Sequence, residues 1–249
     1  MPKPNQIELG DGTRIPILYE DRSVIAIDKP PGWMLVPHSW QDTTRNLQAA
    51  IVSAIAEGHF WARSRNLKFL RYIHRLDADT SGVLLFGKSE GAVDSLGDLF
   101  ESRRMEKVYL VVVNGTPREP EWTANYSIAP DARQIGRVVV NESEGKEAET
   151  RFKVLQPGPK TSLLEARPLT GRTHQIRIHL ATDGYPVVGD PLYGAVSKPV
   201  RPAGRIAELP SLGLRAVSLS YSDPFTRRPV RIQAPTEDFI RRFRFAPIA

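Results

Sequence analysis

The densest group of reactive side chains lies at residues 71–88, in the segment RYIHRLDADTSGVLLFGK. It places His74, Arg75 and Asp77 within four positions, and Asp79 and a Thr-Ser-Gly run follow before an apolar stretch. Three interpretations fit these residue types. The oxygens could bind a cation, an ionised carboxylate could catalyse a reaction, or the segment could be only a polar turn that precedes a strand.

The cation interpretation fails on the ligand set. Asp77, Asp79, Ser81 and Gly82 match positions 1, 3, 5 and 6 of a calcium loop, but position 12, which requires a bidentate glutamate, is Lys88. The chain contains no cysteine, which excludes thiolate zinc sites, iron–sulfur clusters and disulfides.

Histidines offer no better metal site. His174 and His179 are five residues apart, which places them about 140° from one another on a helix rather than on one face. Together with His74, each is therefore interpreted as a hydrogen-bonded structural residue or an RNA contact. These residues therefore predict no metal site.

A turn accounts for part of the motif. The Asp-Thr-Ser run at 79–81 can cap backbone amides with its side chains, and Gly82 can turn the chain. A turn does not explain the HRLD segment at 74–77. If that segment is extended, Arg75 and Asp77 face the same side. A charge pair beside an apolar strand suits a cleft wall, where a carboxylate must stay ionised to act as nucleophile or base.

A second group of functional residue types occupies residues 167–194, RPLTGRTHQIRIHLATDGYPVVGDPLYG. Arg172 and Arg177 bracket the start of a predicted helix, where arginines suit phosphates or a carboxylate partner. The alternative is a solvated basic helix face.

Cations also alternate with aromatic residues in the segment ARSRNLKFLRYIHR at 62–75. This pattern suits contacts with an RNA backbone and stacking on bases, and the alternative is a solvated basic face with anchoring aromatics. The net charge of +6 agrees with a polyanionic partner. The candidate RNA contacts here are Arg63, Arg65, Lys68 and Arg71, and a Pro-rich basic loop at 197–205 adds further cations.

The surrounding elements predict an α+β fold with a mainly antiparallel sheet. Apolar runs on both sides of Asp21 predict a hairpin, and helical spacing predicts helices within 43–60, 89–105 and 173–184. From residue 107 onward, short apolar segments separated by turn residues predict strands, and RRFRF at the C-terminal end predicts a helix with a solvated face. Residues 1–15 are polar and predict a short arm before a domain at 16–249.

No apolar segment resembles a signal peptide or a membrane span, so we expect a cytoplasmic protein that is not bound to a membrane. A monomer is the default expectation.

Five blocks, in order along the chain, resemble the RluA-type RNA pseudouridine synthases. They are ILYEDRSVIAIDKPPGWMLVP (17–37), HRLDADTSGVLLFGK (74–88), EKVYLVVVNG (106–115), TGRTHQIRIHLATDGYPVVGDPLYG (170–194) and LRAVSLSYSDPFTRRP (214–229). The resemblance covers roughly residues 16 to 240. It implies the pseudouridine synthase fold, a mixed sheet flanked by a few helices with a central active-site cleft. It also implies isomerisation of uridine in ribosomal or transfer RNA, with a flipped-out nucleotide and no cofactor.

The resemblance also implies roles for single residues. Asp77 matches the essential aspartate, Tyr109 matches a tyrosine that stacks on the target uracil, and Arg177 matches an arginine that pairs with the catalytic carboxylate. Arg75 and Arg172 match positions that contact RNA or hold the place of the flipped nucleotide, and His74 and His174 are further candidate RNA contacts.

Two departures from the family pattern stand out. Arg215 occupies a position where the family usually has histidine, and the N-terminal RNA-binding module of many relatives is not expected in the short arm. Two other hypotheses are a catalytically inactive RNA-binding or ribosome-assembly protein of the same fold, and a metal-dependent hydrolase that uses Asp77, Asp79 and His74. The first predicts a substituted aspartate, whereas Asp77 is present.

Overall fold

The computed structural model describes residues 2–35, 45–194 and 211–248, and the chain folds into two units. Unit 1 contains residues 1–108 and 216–236, and unit 2 contains residues 109–215 and 237–249. The basic loop predicted at 197–205 lies outside the described residues.

The strands of unit 1 follow the order β1-β2-β3-β5-β12, with β13 paired to β12 and β4 paired to β5. The pairings β1–β2, β2–β3, β3–β5, β4–β5 and β12–β13 are antiparallel. The strands are β1 (Gln6–Glu8), β2 (Arg14–Glu20), β3 (Val24–Lys29), β4 (Arg71–Tyr72), β5 (Ser81–Gly87), β12 (Leu214–Ser222) and β13 (Pro229–Gln233).

The predicted hairpin is the pair β2–β3. Asp21 closes its turn, because the Oδ1 atom accepts hydrogen bonds from the amides of Ser23 (2.7 Å) and Val24 (2.8 Å). β3 and β5 are apolar along most of their length, which fits their burial between neighbouring strands.

The described part of unit 1 contains three helices. They are α1 (Leu47–Ala56), α2 (Phe60–Arg63) and α3 (Glu90–Glu101). The side chains of Asn46 and Ser89 cap α1 and α3 by accepting the amides of Ala49 and Ala92, as N-cap residues do. Leu96 and Leu99 of α3 pack into the core of the sheet.

The N-terminal segment is part of this sheet rather than a detached arm. Ile7 and Leu9 are buried, and the carbonyl oxygen of Glu8 accepts a hydrogen bond from Nε1 of Trp61 at 2.9 Å. The guanidinium of Arg65 donates to the carbonyl of Pro4 at 2.6 Å. Alternation of single apolar residues over so short a stretch is too weak a signal to predict β1.

In unit 2, antiparallel strands follow the order β6-β11-β10-β7, and β8 and β9 form a separate two-stranded sheet. Its elements are β6 (Glu106–Asn114), β7 (Glu121–Asn125), β8 (Ile128–Pro130), β9 (Val138–Val140), β10 (Glu149–Gln156), β11 (Thr161–Pro168), α4 (Gln175–Thr182) and α5 (Glu237–Arg242). The first three residues of β6 belong to unit 1 and the first two residues of β12 to unit 2. The C-terminal helix lies earlier than RRFRF predicts, because α5 ends at Arg242.

The α+β class predicted from the sequence is confirmed by these elements. No helix among the described residues is long and apolar enough to span a membrane.

Candidate functional site

In unit 1, Asp77 lies in a loop whose backbone is hydrogen-bonded to a buried lysine. Residues 75–77 have no regular secondary structure. Lys29, at the end of β3, is 0% exposed, and its Nζ donates to the carbonyl oxygens of Asp77 (3.2 Å), Ala78 (2.7 Å) and Thr80 (2.8 Å). A fourth bond reaches the carbonyl of Pro30 at 3.2 Å.

Backbone bonds complete the loop. The amide of Thr80 donates to the carbonyl of Asp77 at 3.1 Å, and the amide of Gly32 donates to the carbonyl of Ala78 at 2.9 Å. The turn predicted at 79–82 is therefore present, and it is held by the main chain and Lys29.

The ammonium of Lys29 carries an electrostatic cost. Burial lowers the pKa of Lys29 to about 7, against the opposing effect of the negative charges of Asp77 and Asp79. Four carbonyl acceptors favour the charged form, so the loop backbone and the lysine charge are coupled.

Gly82 has a packing role where β5 begins. Its φ is +110°, and a Cβ atom at this position would overlap the carbonyl oxygen of Ala216 in β12. Any larger residue would therefore push β12 away from the strand that follows the Asp77 loop.

His74, just before the loop, is held by a hydrogen bond and by aromatic stacking. Its Nε2 accepts a hydrogen bond from the amide of Leu85 at 3.2 Å, and its ring stacks on Phe100 with the centroids 4.7 Å apart. Burial and the positive charge of Lys107 lower the pKa of His74 to about 3. The ring is therefore neutral at physiological pH. Of the two interpretations of this histidine, these contacts support the hydrogen-bonded structural residue.

In unit 2, Gln175 shapes the loop that carries Arg172 and His174. Its Oε1 accepts from the hydroxyl of Thr170 (2.7 Å) and the amide of Arg172 (3.0 Å). Its Nε2 donates to the carbonyl of Glu149 and to the hydroxyl of Thr150, both at 2.9 Å. The chain then enters α4 through His174, which is in the left-handed region at φ 51°.

Arg177 of α4 forms a buried, bidentate ion pair with Asp190. Its Nε lies 2.7 Å from Oδ2 of Asp190, and its Nη2 lies 2.8 Å from Oδ1. Oδ1 also accepts the amides of Leu192 and Tyr193. Burial would raise the pKa of Asp190, but the hydrogen bond and the charge of Arg177 outweigh it, so the pKa is lowered. Both charges persist at physiological pH, and the guanidinium has a fixed plane.

Tyr193 joins this pair to the rest of the site. Its hydroxyl lies 3.0 Å from Nδ1 of His174 and accepts the amide of Val138 at 2.9 Å. The guanidinium carbons of Arg177 and Arg137 lie 5.3 Å and 5.7 Å from the centroid of its ring. The structure thus brings His174 and Arg177 into one network.

The other predicted residues of unit 2 have different environments. Tyr109 lies in β6, opposite Ala166 of β11, and is largely buried. Arg172 is exposed, and its Nε donates to the carbonyl of Glu147 at 3.1 Å. Arg215, at the position where the family usually has histidine, is buried in β12.

The candidate RNA contacts at 62–75 differ in exposure. The exposed cations, which a backbone phosphate can reach, are Arg63, Lys68, Arg71 and Arg75. Arg65 requires a correction, because only 4% of its side chain is exposed and its Nε donates to Glu20 at 2.8 Å. With further bonds to the carbonyls of Trp61 and Pro4, Arg65 braces the N-terminal segment, and we no longer expect it to contact RNA.

Sequence patterns did not single out Lys29, Asp190 or Tyr193 as site residues. Lys29 stands in the KPPG turn, and Asp190 and Tyr193 stand in the GDPLYG segment. All three residues therefore lie within blocks that resemble the family. The signal that could have found Lys29 and Asp190 is a charged residue placed directly in or after an apolar run, where burial requires a partner. Within the described ranges, no group of three or more histidine or carboxylate side chains could hold a metal ion.

Comparisons with known proteins show similarity to one family. Residues 23–182 match the family described as RNA pseudouridylate synthase. The chain is 34% identical over 229 residues to the ribosomal large subunit pseudouridine synthase C of Escherichia coli O157:H7. The matched region covers 91% of this chain and 68% of that protein. The same values hold for the enzyme of that name from Salmonella typhimurium.

Two solved structures share the fold. Human RNA pseudouridylate synthase domain containing 1 is 28% identical, with a TM-score of 0.67 over 89% of this chain and 83% of that chain. Human RNA pseudouridylate synthase domain containing 4 is 21% identical, with a TM-score of 0.68 over 92% of both chains. These likenesses confirm the fold that the sequence blocks implied.

Proposed function

Since the chain belongs to the RNA pseudouridylate synthase family, and is thus an isomerase that converts uridine in RNA to pseudouridine, we propose that it acts on large-subunit ribosomal RNA with Asp77 as its catalytic carboxylate. The ribosomal target is supported by the names of the relatives from Escherichia coli and Salmonella typhimurium. The role of Asp77 is supported by the hydrogen bonds through which Lys29 fixes the backbone of its loop.

The reaction breaks the C1′–N1 bond of uridine and forms a C1′–C5 bond. The uracil turns between the two steps, C5 gives up a proton and N1 gains one, so no atom is lost. A carboxylate can assist by attacking the sugar or the base, or by removing a proton from the sugar, and each role requires the ionised form. The hypothesis of a metal-dependent hydrolase is wrong, because the family's reaction is an isomerisation.

Each proposed site residue has one task. By resemblance to the family, Asp77 is the ionised group that acts on the flipped nucleotide, Arg177 stabilises the charge of a carboxylate, and Tyr109 offers an aromatic face to the detached uracil. Asp190 supports the second assignment by fixing the plane of the Arg177 guanidinium. A uridine within structured RNA is reachable only after extrusion, and the exposed arginines support the opened strand.

The single observation that carries the proposal is the position of Asp77 in a loop whose backbone is tied to a buried ammonium. The test compares Asp77→Asn with Asp79→Asn, since Asp79 is exposed, lies two residues away and changes the net charge equally. Each variant is expressed in cells that lack the protein. Pseudouridine is then mapped in ribosomal RNA by carbodiimide-dependent reverse-transcription stops.

We expect a stop that depends on the protein, that disappears with Asp77→Asn and that persists with Asp79→Asn. RNA binding by the Asp77 variant should remain close to that of the wild type. Normal modification by Asp77→Asn would remove this residue from the chemistry, and no protein-dependent stop in ribosomal RNA would refute the target. A stop that disappears with neither variant would favour a carboxylate other than these two.

A further inference from the structure

The turn between β12 and β13 presents an aromatic ring beside two arginines, within the segment SDPFTRRP at 222–229. Phe225 is 54% exposed. Arg227 and Arg228 are also exposed, and neither guanidinium has an ionic or hydrogen-bonding partner within the described part of the chain. Neither the candidate site nor the stretch at 62–75 uses these residues.

The turn has a fixed shape. Asp223 is buried, and its Oδ1 accepts from the amides of Phe225 (2.9 Å) and Thr226 (2.6 Å) and from the hydroxyl of Thr226 (2.9 Å). The backbone of Asp223 pairs with Arg227 and Arg228, each bond at 2.9 Å. Because the carboxylate of Asp223 is turned inward and occupied, the charge that the turn presents to solvent is positive.

A polar cleft of about 320 Å³ lies between this turn and the C-terminal half of α3. Arg227 lines one side, and Arg104 lines it from the segment that follows α3. The Nε of Arg104 is held at 2.8 Å by the hydroxyl of Ser102. Ser95 and Ser222 line the cleft with hydroxyls, and Asp98 is the acidic residue of its wall, so the cations exceed the acid.

We propose that this cleft and turn bind one unstacked nucleotide of the RNA substrate. Phe225 stacks on the base, and Arg227 and Arg104 bind the adjacent phosphate. Planar guanidinium groups match phosphate oxygens in bidentate geometry, and an exposed ring beside cations is the arrangement that binds single-stranded RNA. The inference rests on the proposed function in one respect, since RNA is the ligand, and it adds a contact surface in unit 1.

The preformed turn strengthens the inference. A single exposed apolar residue is common on protein surfaces and needs no explanation by itself. Here three hydrogen bonds to one buried carboxylate hold the backbone that carries the ring, so little conformational entropy is lost when a base stacks on it.

The experiment measures binding of a short labelled single-stranded RNA by fluorescence anisotropy, in the Asp77→Asn background so that no turnover occurs. Phe225→Ala is compared with Phe60→Ala, because Phe60 is 43% exposed and belongs to the same unit. We expect Phe225→Ala to weaken binding by roughly ten-fold, as loss of one stacked base does, and Phe60→Ala to change it by less than about two-fold.

Charge is tested through the dependence of binding on salt. Arg227→Gln and Arg104→Gln should each lower the slope of log affinity against log salt by about 0.7, the value for one phosphate contact in single-stranded RNA. Arg14→Gln is the matched control, because its side chain is 64% exposed and it removes the same charge elsewhere in unit 1. It should leave that slope unchanged.

A third readout places a reporter in the turn. The fluorescence of Phe225→Trp should be quenched when RNA is added, whereas that of Phe60→Trp should not be. Equal affinity of Phe225→Ala and Phe60→Ala, with no quenching, would overturn the inference even if Asp77 proves catalytic. Weakened binding by the turn variants would support it even if Asp77→Asn retains activity, so failure here and failure of the proposed function can be told apart.

Discussion

Replacing Lys29 with methionine should separate catalysis from stability. The variant keeps the aliphatic volume of the buried side chain but removes the ammonium that donates to the carbonyls of Asp77, Ala78 and Thr80. The carbonyls of Asp77 and Ala78 retain one backbone partner each, so only part of the hydrogen bonding of the loop is lost.

The expected change in folding free energy is small because two large contributions oppose each other. The two short bonds, at 2.7 and 2.8 Å, contribute about 1.5–3 kcal/mol each, as hydrogen bonds to charged groups do. Against this, the fall in the pKa of Lys29 to about 7 reflects a penalty of about 5 kcal/mol for keeping the buried charge. The net change in the free energy of unfolding should therefore stay within about 2 kcal/mol.

Catalysis has no such compensation. Without Lys29 the main chain that carries Asp77 loses its central anchor, and a misplacement of about 1 Å in a reacting group can slow a reaction by about 100-fold. The assay is the single-turnover rate of pseudouridine formation in a ribosomal RNA fragment, measured beside thermal unfolding. Lys88→Met is the control, because Nζ of Lys88 also binds a carbonyl oxygen, that of Asp21, but at the other end of β5.

We expect Lys29→Met to lose about 100-fold in rate and Lys88→Met to lose less than about three-fold. A Lys29→Met enzyme that turns over at the wild-type rate would refute the anchoring role. If its unfolding free energy fell by much more than 2 kcal/mol, the penalty for burying the Lys29 charge would not offset its hydrogen bonds.

The Lys29→Met substitution should also change how stability depends on pH. The folded-state pKa of about 7 lies below the ordinary lysine value of 10.5, so between these values the unfolded chain binds more protons than the folded chain. The contribution of Lys29 to stability therefore rises with pH across this window. In urea unfolding at pH 7 and pH 9, the difference in stability between wild type and Lys29→Met should shift in favour of the wild type at the higher pH.

Three further predictions concern packing and charge. Gly82→Ala should destabilise unit 1 by more than about 3 kcal/mol or prevent folding, because the added Cβ overlaps the carbonyl of Ala216; chemical unfolding and soluble yield report this. Asp190→Asn should lower the unfolding free energy by about 3–5 kcal/mol because it removes the buried negative charge that binds the Arg177 guanidinium through two bonds, whereas Glu165→Gln, which breaks an exposed pair, should cost less than about 1 kcal/mol. Stability should fall as the pH drops from 6.5 towards 3, since the unfolded chain protonates His74 before the folded chain does, and His74→Gln should flatten that slope in acid titrations followed by circular dichroism.

The elements that the sequence predicted well are those with a strong local signal. Helical spacing located α3, and the Asp21 turn located the β2–β3 hairpin. β7 and β8 were not predicted, because Ala124 is the single buried residue of β7 and β8 is three residues long and ends in proline.

The site residues also differ in how well the sequence predicts them. Asp77 and Arg177 stand in recognisable blocks, but the partner of a charge is a property of the fold. Lys29 binds carbonyls about 50 residues away in the chain, and Arg65 pairs with a glutamate 45 residues away. A charge pattern cannot tell a cation that faces solvent from one that faces such a partner, which is why the sequence predicts an RNA contact at Arg65.

Unit 1 is built from two separate parts of the chain, and this sets the order in which it can be completed during synthesis. β5 ends at Gly87, while its sheet neighbour β12 begins at Leu214. At translation rates of 5–20 residues per second, the ribosome needs on the order of ten seconds to make the intervening chain. For that time the nascent protein holds an unpaired edge of the apolar strand SGVLLFG, the kind of edge on which chains aggregate. The yield of folded enzyme should therefore depend on translation speed and on the chaperones that cover this edge.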